Sequence, residues 1–159
     1  MKKIRFSVVA LLAVLCQSLF ASGNINLTPI PKSMTVGEGT LVLPTSFTVL
    51  VTGPDSIAAE AECFAEHMEL VAGMNIEVVT KGGSPLITVL HKKDNEALAP
   101  EGYTLDITST GVTIGATTTT GCFYAFQTIK KLLPPHVMAG VPDDRVTSYT
   151  LPIVALCST

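Results

Sequence analysis

The chain has 159 residues, ten Lys and Arg against thirteen Asp and Glu, a net charge of −3, and 47% hydrophobic residues. That apolar content argues against a disordered chain, and the acidic balance against nucleic acid or an acidic membrane surface as partner. The length suits one ordinary domain with a single core.

Lys2, Lys3 and Arg5 precede an apolar run from Phe6 to Leu15 and the small residues Ala21, Ser22 and Gly23. This is the order of a secretory signal peptide. Residues 1–23 are therefore expected to be a signal peptide, and the protein to be exported to the periplasm or cell surface of a bacterium. A membrane span needs about 20 apolar residues, and Gln17 with Ser18 interrupts this run sooner. Cys16 follows the bulky Leu15, whereas a lipid-modified cysteine normally follows a small residue. Loss of the leader leaves seven basic against thirteen acidic residues. Neither nucleic acid nor, after cleavage, membrane is an expected partner.

In the mature part, Ile25, Leu27 and Ile30 alternate loosely, Pro29 and Pro31 exclude a helix, and Gly37 with Gly39 marks a turn. Leu41–Leu43 and Phe47–Val51 are β-rich, which predicts an edge strand and a hairpin. A helix follows, with Asp55 as N-cap and Gly73 as C-terminal cap. Ile57, Ala61, Phe64, Met68 and Val71 form its apolar stripe, and Glu60, Glu62, Glu66 and Glu69 take the other side. Ile76–Thr80 and Leu86–Leu90 read as strands, and Tyr103–Ile107 with Val112–Ile114 as a hairpin turning through Ser109, Thr110 and Gly111. A second helix starts near Gly121, capped by one of Thr117–Thr120, with Cys122, Phe126, Ile129 and Leu133 on one stripe. Lys130 and Lys131 suit its C-terminal dipole, and Pro134 with Pro135 stops it. His136–Ser148 reads as a loop and Tyr149–Leu156 as a last strand, after which the chain stops without further turn chemistry.

No reactive constellation emerges from these residues. Cys63, Cys122 and Cys157 are an odd number, so at most one bridge forms, and Cys63 and Cys122 on apolar helix faces read as buried free thiols. Cys63 and His67 stand four apart on one helix, a spacing that can present two metal ligands, but a site needs three or four. His91 and His136 are isolated, and Asp143 with Asp144, the adjacent acidic pair, lies in a Pro- and Gly-bearing loop. Gly82-Gly83-Ser84 before Pro85 is turn chemistry, not a nucleophile elbow. Phe123, Tyr124 and Phe126 could suggest a sugar platform, yet on an amphipathic helix they are mostly core, with Tyr124 the one expected outside. No catalytic, cofactor-binding or metal residue is assigned.

The segments EGYTLDITSTGVTIGA and GCFYAFQTIKKLLPP resemble the hairpin and helix of the domain preceding the catalytic barrel in glycoside hydrolase family 20, the β-N-acetylhexosaminidases and chitobiases. LTPIPKSMTVGEGTLVL resembles the start of that domain and YTLPIVAL the strand leading into the barrel, so the likeness runs from Ile25 to Leu156. It implies an α+β fold, an antiparallel sheet with two helices packed on one face, a zinc-protease-like layout without the metal. In the family the following barrel does the chemistry. An adjacent Asp and Glu act there, the Glu as general acid and the Asp orienting the acetamido group that attacks the anomeric carbon. This chain stops before the Arg-Gly segment that opens the barrel, so no such residue carries over.

The expectation is a non-catalytic accessory domain over residues 24–159, from a fragment or a truncated product. Its partner would be a catalytic barrel, buttressed through an apolar patch near Tyr149–Leu156, and no cofactor is expected. The alternatives are an amino-sugar glycan-binding module using Tyr124 or Tyr103, and an independent enzyme using Asp143 or Asp144.

Overall fold

The computed structural model describes residues 25–93, 98–140 and 145–158. The segment 1–23, expected to be a signal peptide, and the Asp143–Asp144 pair lie outside the described residues. In chain order come β1 (Ser33–Pro44), β2 (Ser46–Thr52), α1 (Asp55–Ala72), β3 (Asn75–Val79), β4 (Ile87–His91), β5 (Tyr103–Ile107), β6 (Val112–Ala116), α2 (Thr119–Leu132) and β7 (Ser148–Ser158). The strands form one sheet in the order β1-β7-β5-β6-β4-β2-β3. This is the α+β class expected from the sequence.

Pairing departs from the antiparallel expectation in half of the sheet. β1 with β7, β7 with β5, and β5 with β6 are antiparallel, whereas β6 with β4, β4 with β2, and β2 with β3 are parallel. The reason is stagger. α1 carries the chain back so that β3 lies along Ser46–Leu50, while β4 pairs with Val49–Thr52 further up the same strand. β4 begins where β3 ends, so residues 80–86 join two parallel strands without the long crossover such pairs usually need. Gly82 and Gly83, at φ 74° and 80°, make that short connection.

The expected β1–β2 hairpin does not form, because β1 is an edge strand on β7 and β2 sits at the far side of the sheet. Gly37 and Gly39 form no hairpin turn; they lie at an irregularity inside β1, between the register pairs Val36–Val154 and Thr40–Pro152. The β5–β6 hairpin is as expected, closed by Thr108 N–H donating to the Gly111 carbonyl at 2.9 Å.

Both helices pack on one face. On α1, Ile57, Ala61, Phe64, Met68 and Ala72 are buried, with Val71 only partly so. Pro54, not Asp55, is the N-cap residue, its carbonyl accepting from Ile57 N–H, so Asp55 is the first residue of the helix and meets its positive dipole end. Gly73, at φ 64°, ends the helix in a left-handed turn whose N–H donates to Glu69. On α2, the Thr118 hydroxyl accepts from Gly121 N–H, and Cys122, Ala125, Phe126 and Ile129 face the sheet. Phe64 and Phe126 stack at 4.5 Å between ring centroids and join the two helices within the same core as Val89, Leu105 and Ile114 of the sheet. Burial of this kind, at about 25 cal/mol per Å² of apolar surface, supplies the main stabilising term.

Candidate functional site

The helices run parallel and side by side. Ser56 meets Thr119 through their hydroxyls at 3.2 Å, Phe64 stacks on Phe126, and the charge of Lys130 acts on His67. Each helix therefore turns a second stripe outward, next to its core stripe. On α1 this stripe is Glu60, Cys63, His67 and Leu70, at steps of three and four. Phe123, Gln127 and Lys130 answer it from α2. Between them lies a groove of about 290 Å³, floored by Phe64 and Phe126 and lined by Glu60, Cys63, His67, Phe123, Gln127 and Lys130.

Polar groups at the His67 end of this groove are unsatisfied. His67 Nε2 is buried with no hydrogen-bond partner among the described residues. Burial and then the neighbouring Lys130 charge hold the imidazole below its ordinary range, so it is neutral near pH 7. The Lys130 amine is itself pulled down by burial, and among the described residues it has no ion pair or hydrogen bond. At the other end Glu60 adds to the burial that pushes the Cys122 thiol up to about 12. Cys122 is an inert core thiol.

At the rim of the groove and beyond it the same surface is apolar. Leu70 is 73% exposed, Phe123 41% and Tyr124 40%, and the Phe123 and Tyr124 rings meet edge-on at 5.5 Å. Phe123 is thus outside rather than core: it stands one residue past the buried Cys122, on the edge of the α2 core stripe where the groove opens. Cys63 is exposed rather than buried for the same reason, one residue off the Phe64 stripe.

The other residues considered from sequence do not gather into a site. Tyr103 is in the core with its hydroxyl 2.6 Å from Thr128 Oγ1, so it offers no surface to a sugar. His91 Nε2 lies 3.1 Å from the Thr117 carbonyl, and His136 is exposed next to a short 3-10 turn at Val137–Ala139. Among the described residues no group of three His, Cys, Asp or Glu side chains could hold a metal ion. The apolar residues of β7 are mostly spent on the core: Tyr149, Leu151, Val154 and Leu156 are buried, and Ile153 packs over Gly37 and Gly39 of β1. Beside β7, its partner strand β1 exposes Met34, Val36 and Val42, and a second exposed apolar group, Leu70, Phe123 and Tyr124, lies on the helix layer. Sequence periodicity locates both helices; the outward stripe is not legible there, because Glu60 reads as solvated face and Cys63 with His67 as a metal-ligand spacing short of a site.

Comparison with known proteins places this architecture. Residues 24–151 match the family model described as glycosyl hydrolase family 20, domain 2. Among solved structures, the chain is similar to the Streptomyces plicatus N-acetyl-β-hexosaminidase, at 22% identity and a TM-score of 0.71, over 81% of this chain and 25% of that one. It is similar to the Flavobacterium johnsoniae chitobiase at 20% identity and 0.64, over 84% of this chain and 20% of that one. For the Bacteroides fragilis β-N-acetylhexosaminidase the values are 20% and 0.60, over 83% and 24%. No curated protein matches the chain. It spans about a quarter of the length of the Streptomyces enzyme. With the family model covering most of its residues and the fold agreeing strand for helix, this chain belongs to glycosyl hydrolase family 20 as its domain 2.

Proposed function

We propose that this chain is the non-catalytic accessory domain of an exported β-N-acetylhexosaminidase and that it buttresses a catalytic barrel lying outside these residues. The observation that carries this reading is the match to family 20 domain 2, a unit that accounts for about a quarter of a solved hexosaminidase. Export rests on the charged, apolar and small-residue order of residues 1–23. The buttressing surface is the outer face of α1 and α2. Leu70, Phe123 and Tyr124 expose apolar area there that covering would remove from water, at about 25 cal/mol per Å².

A chimera tests this: the chain replaces the corresponding domain of the Streptomyces plicatus enzyme. The chain alone is expected not to cleave a chromogenic N-acetylglucosaminide, while the chimera melts several degrees above the isolated barrel, a gain lost in a Phe123→Ser/Tyr124→Ser variant. Turnover by the purified chain, or a barrel no more stable with the domain than without it, contradicts the reading.

The exposed Phe123–Tyr124 pair favours one other reading, a module that binds amino-sugar glycans. Titration with chitooligosaccharides separates the two. Saturable binding that disappears in Tyr124→Ala supports the module, and its absence rejects it.

A further inference from the structure

The helix groove combines two unmet demands at one end. A buried ring nitrogen at His67 has no hydrogen-bond partner among the described residues, whereas buried polar groups are nearly always paired. Beside it, Lys130 carries an amine partly withdrawn from water, with no counter-ion among the described residues. Uncompensated charge in such a place is costly, and a carboxylate within reach relieves it more than any neutral group can.

The acids of α1 do not supply that carboxylate. Glu60 lines the same groove but stands seven residues from His67, about 10 Å along the axis at the helical rise. Glu62, Glu66 and Glu69 line a different depression, against Asn75, Ile76 and Val78 of β3. Cys63 and Gln127 complete the lining without charge, and no strand residue contributes to it.

We propose that the His67–Lys130 end of the groove is a carboxylate-binding pocket, in which an Asp or Glu side chain of the covering domain accepts hydrogen bonds from Lys130 Nζ and from the His67 ring. The identity of the occupant rests on the buttressing reading; the chemistry of the pocket does not. A hydroxyl partner would satisfy His67 and leave Lys130 unpaired. An ammonium or guanidinium would face Lys130 as a like charge. The aromatic floor of Phe64 and Phe126 takes the methylene stem and keeps water from the ion pair, which strengthens it. The neutral imidazole donates through its N–H tautomer, and a bound carboxylate favours the imidazolium form.

The test uses the intact chain with sodium butyrate as probe, followed by long-range nitrogen–proton NMR of the His67 ring. Butyrate is expected to shift the His67 Nε2 resonance saturably, in the millimolar range, and to raise the pH at which the ring titrates. Lys130→Met should weaken this at least tenfold while melting like the parent chain. Butylammonium and butanol at equal concentration should leave the ring unmoved. A linear butyrate response, equal responses to butanol or butylammonium, or a Lys130→Met chain that binds butyrate as well as the parent overturns the pocket. Since Leu70→Ser/Tyr124→Ser removes exposed apolar area of the buttressing surface but no groove-lining residue, that variant should still bind butyrate. Failure of the chimera and failure of the pocket are therefore read separately.

Discussion

Tyr149 and Tyr103 each carry a hydroxyl into the core, and each finds a partner on the helix layer. Tyr149 donates to the carbonyl of Ala72 at 3.1 Å, one of the last-turn carbonyls of α1 that has no partner within the helix. The β7 tyrosine thus fixes the C-terminal end of α1 on the sheet, across 77 positions of sequence. Tyr149→Phe keeps the ring and leaves that carbonyl buried without its donor, so a loss of about 1 kcal/mol is expected. Denaturant unfolding measures it; an unchanged midpoint at unchanged slope would mean the bond contributes nothing. Gly121 makes a different kind of contact: a Cβ there would lie 2.4 Å from the Gly102 carbonyl, so the start of α2 is pressed on the turn before β5 as closely as backbone allows. Neither contact can be read from sequence, because both depend on where distant segments meet.

At the scale of elements, the periodicities were legible and the pairings were not. Three- and four-residue spacing placed α1 and α2, and alternation placed β5 and β6, because local patterns report which residues face a core. They do not report which strand lies alongside. β1 and β2 are adjacent in sequence and separated by four strands of the sheet, and the seven-residue link from β3 to β4 joins parallel strands only because the two occupy different stretches of β2. Likewise Phe123, Tyr124 and Phe126 form one aromatic cluster in sequence but two environments in the fold. Phe126 is buried against Phe64, whereas Phe123 and Tyr124 stand outside. Phe126→Ala should cost about 3–5 kcal/mol. Phe123→Ala should stay within about 0.5 kcal/mol of the parent. Equal costs in thermal or denaturant unfolding would mean the helix layer is packed differently from this description.

For the whole molecule, the two faces are unlike. The open face of the sheet presents Thr104, Asp106, Thr113 and Thr150, short polar side chains that water solvates without loss, with Val42 exposed beside Thr150. The helix face presents Leu70, Phe123 and Tyr124 around a groove with an unpartnered imidazole and a lysine lacking a counter-ion among the described residues. An exposed apolar patch rimmed by polar groups marks an interaction surface. A domain occupying about a quarter of a hexosaminidase has a partner at hand in the remainder of such an enzyme. The candidate site was hidden in the sequence because its residues meet only in the fold, Glu60, Cys63 and His67 of α1 facing Phe123, Gln127 and Lys130 of α2.

Cys63 stands in the groove and is exposed, which makes it a reporter of whether the helix face is covered. Its alkylation rate should be fast in the free chain and at least tenfold slower in the chimera with the Streptomyces plicatus barrel, while a Thr113→Cys probe on the open sheet face reacts equally in both. Equal reactivity of Cys63 in the two, or protection of the Thr113→Cys probe instead, would contradict the claim that the helix layer is the docking face.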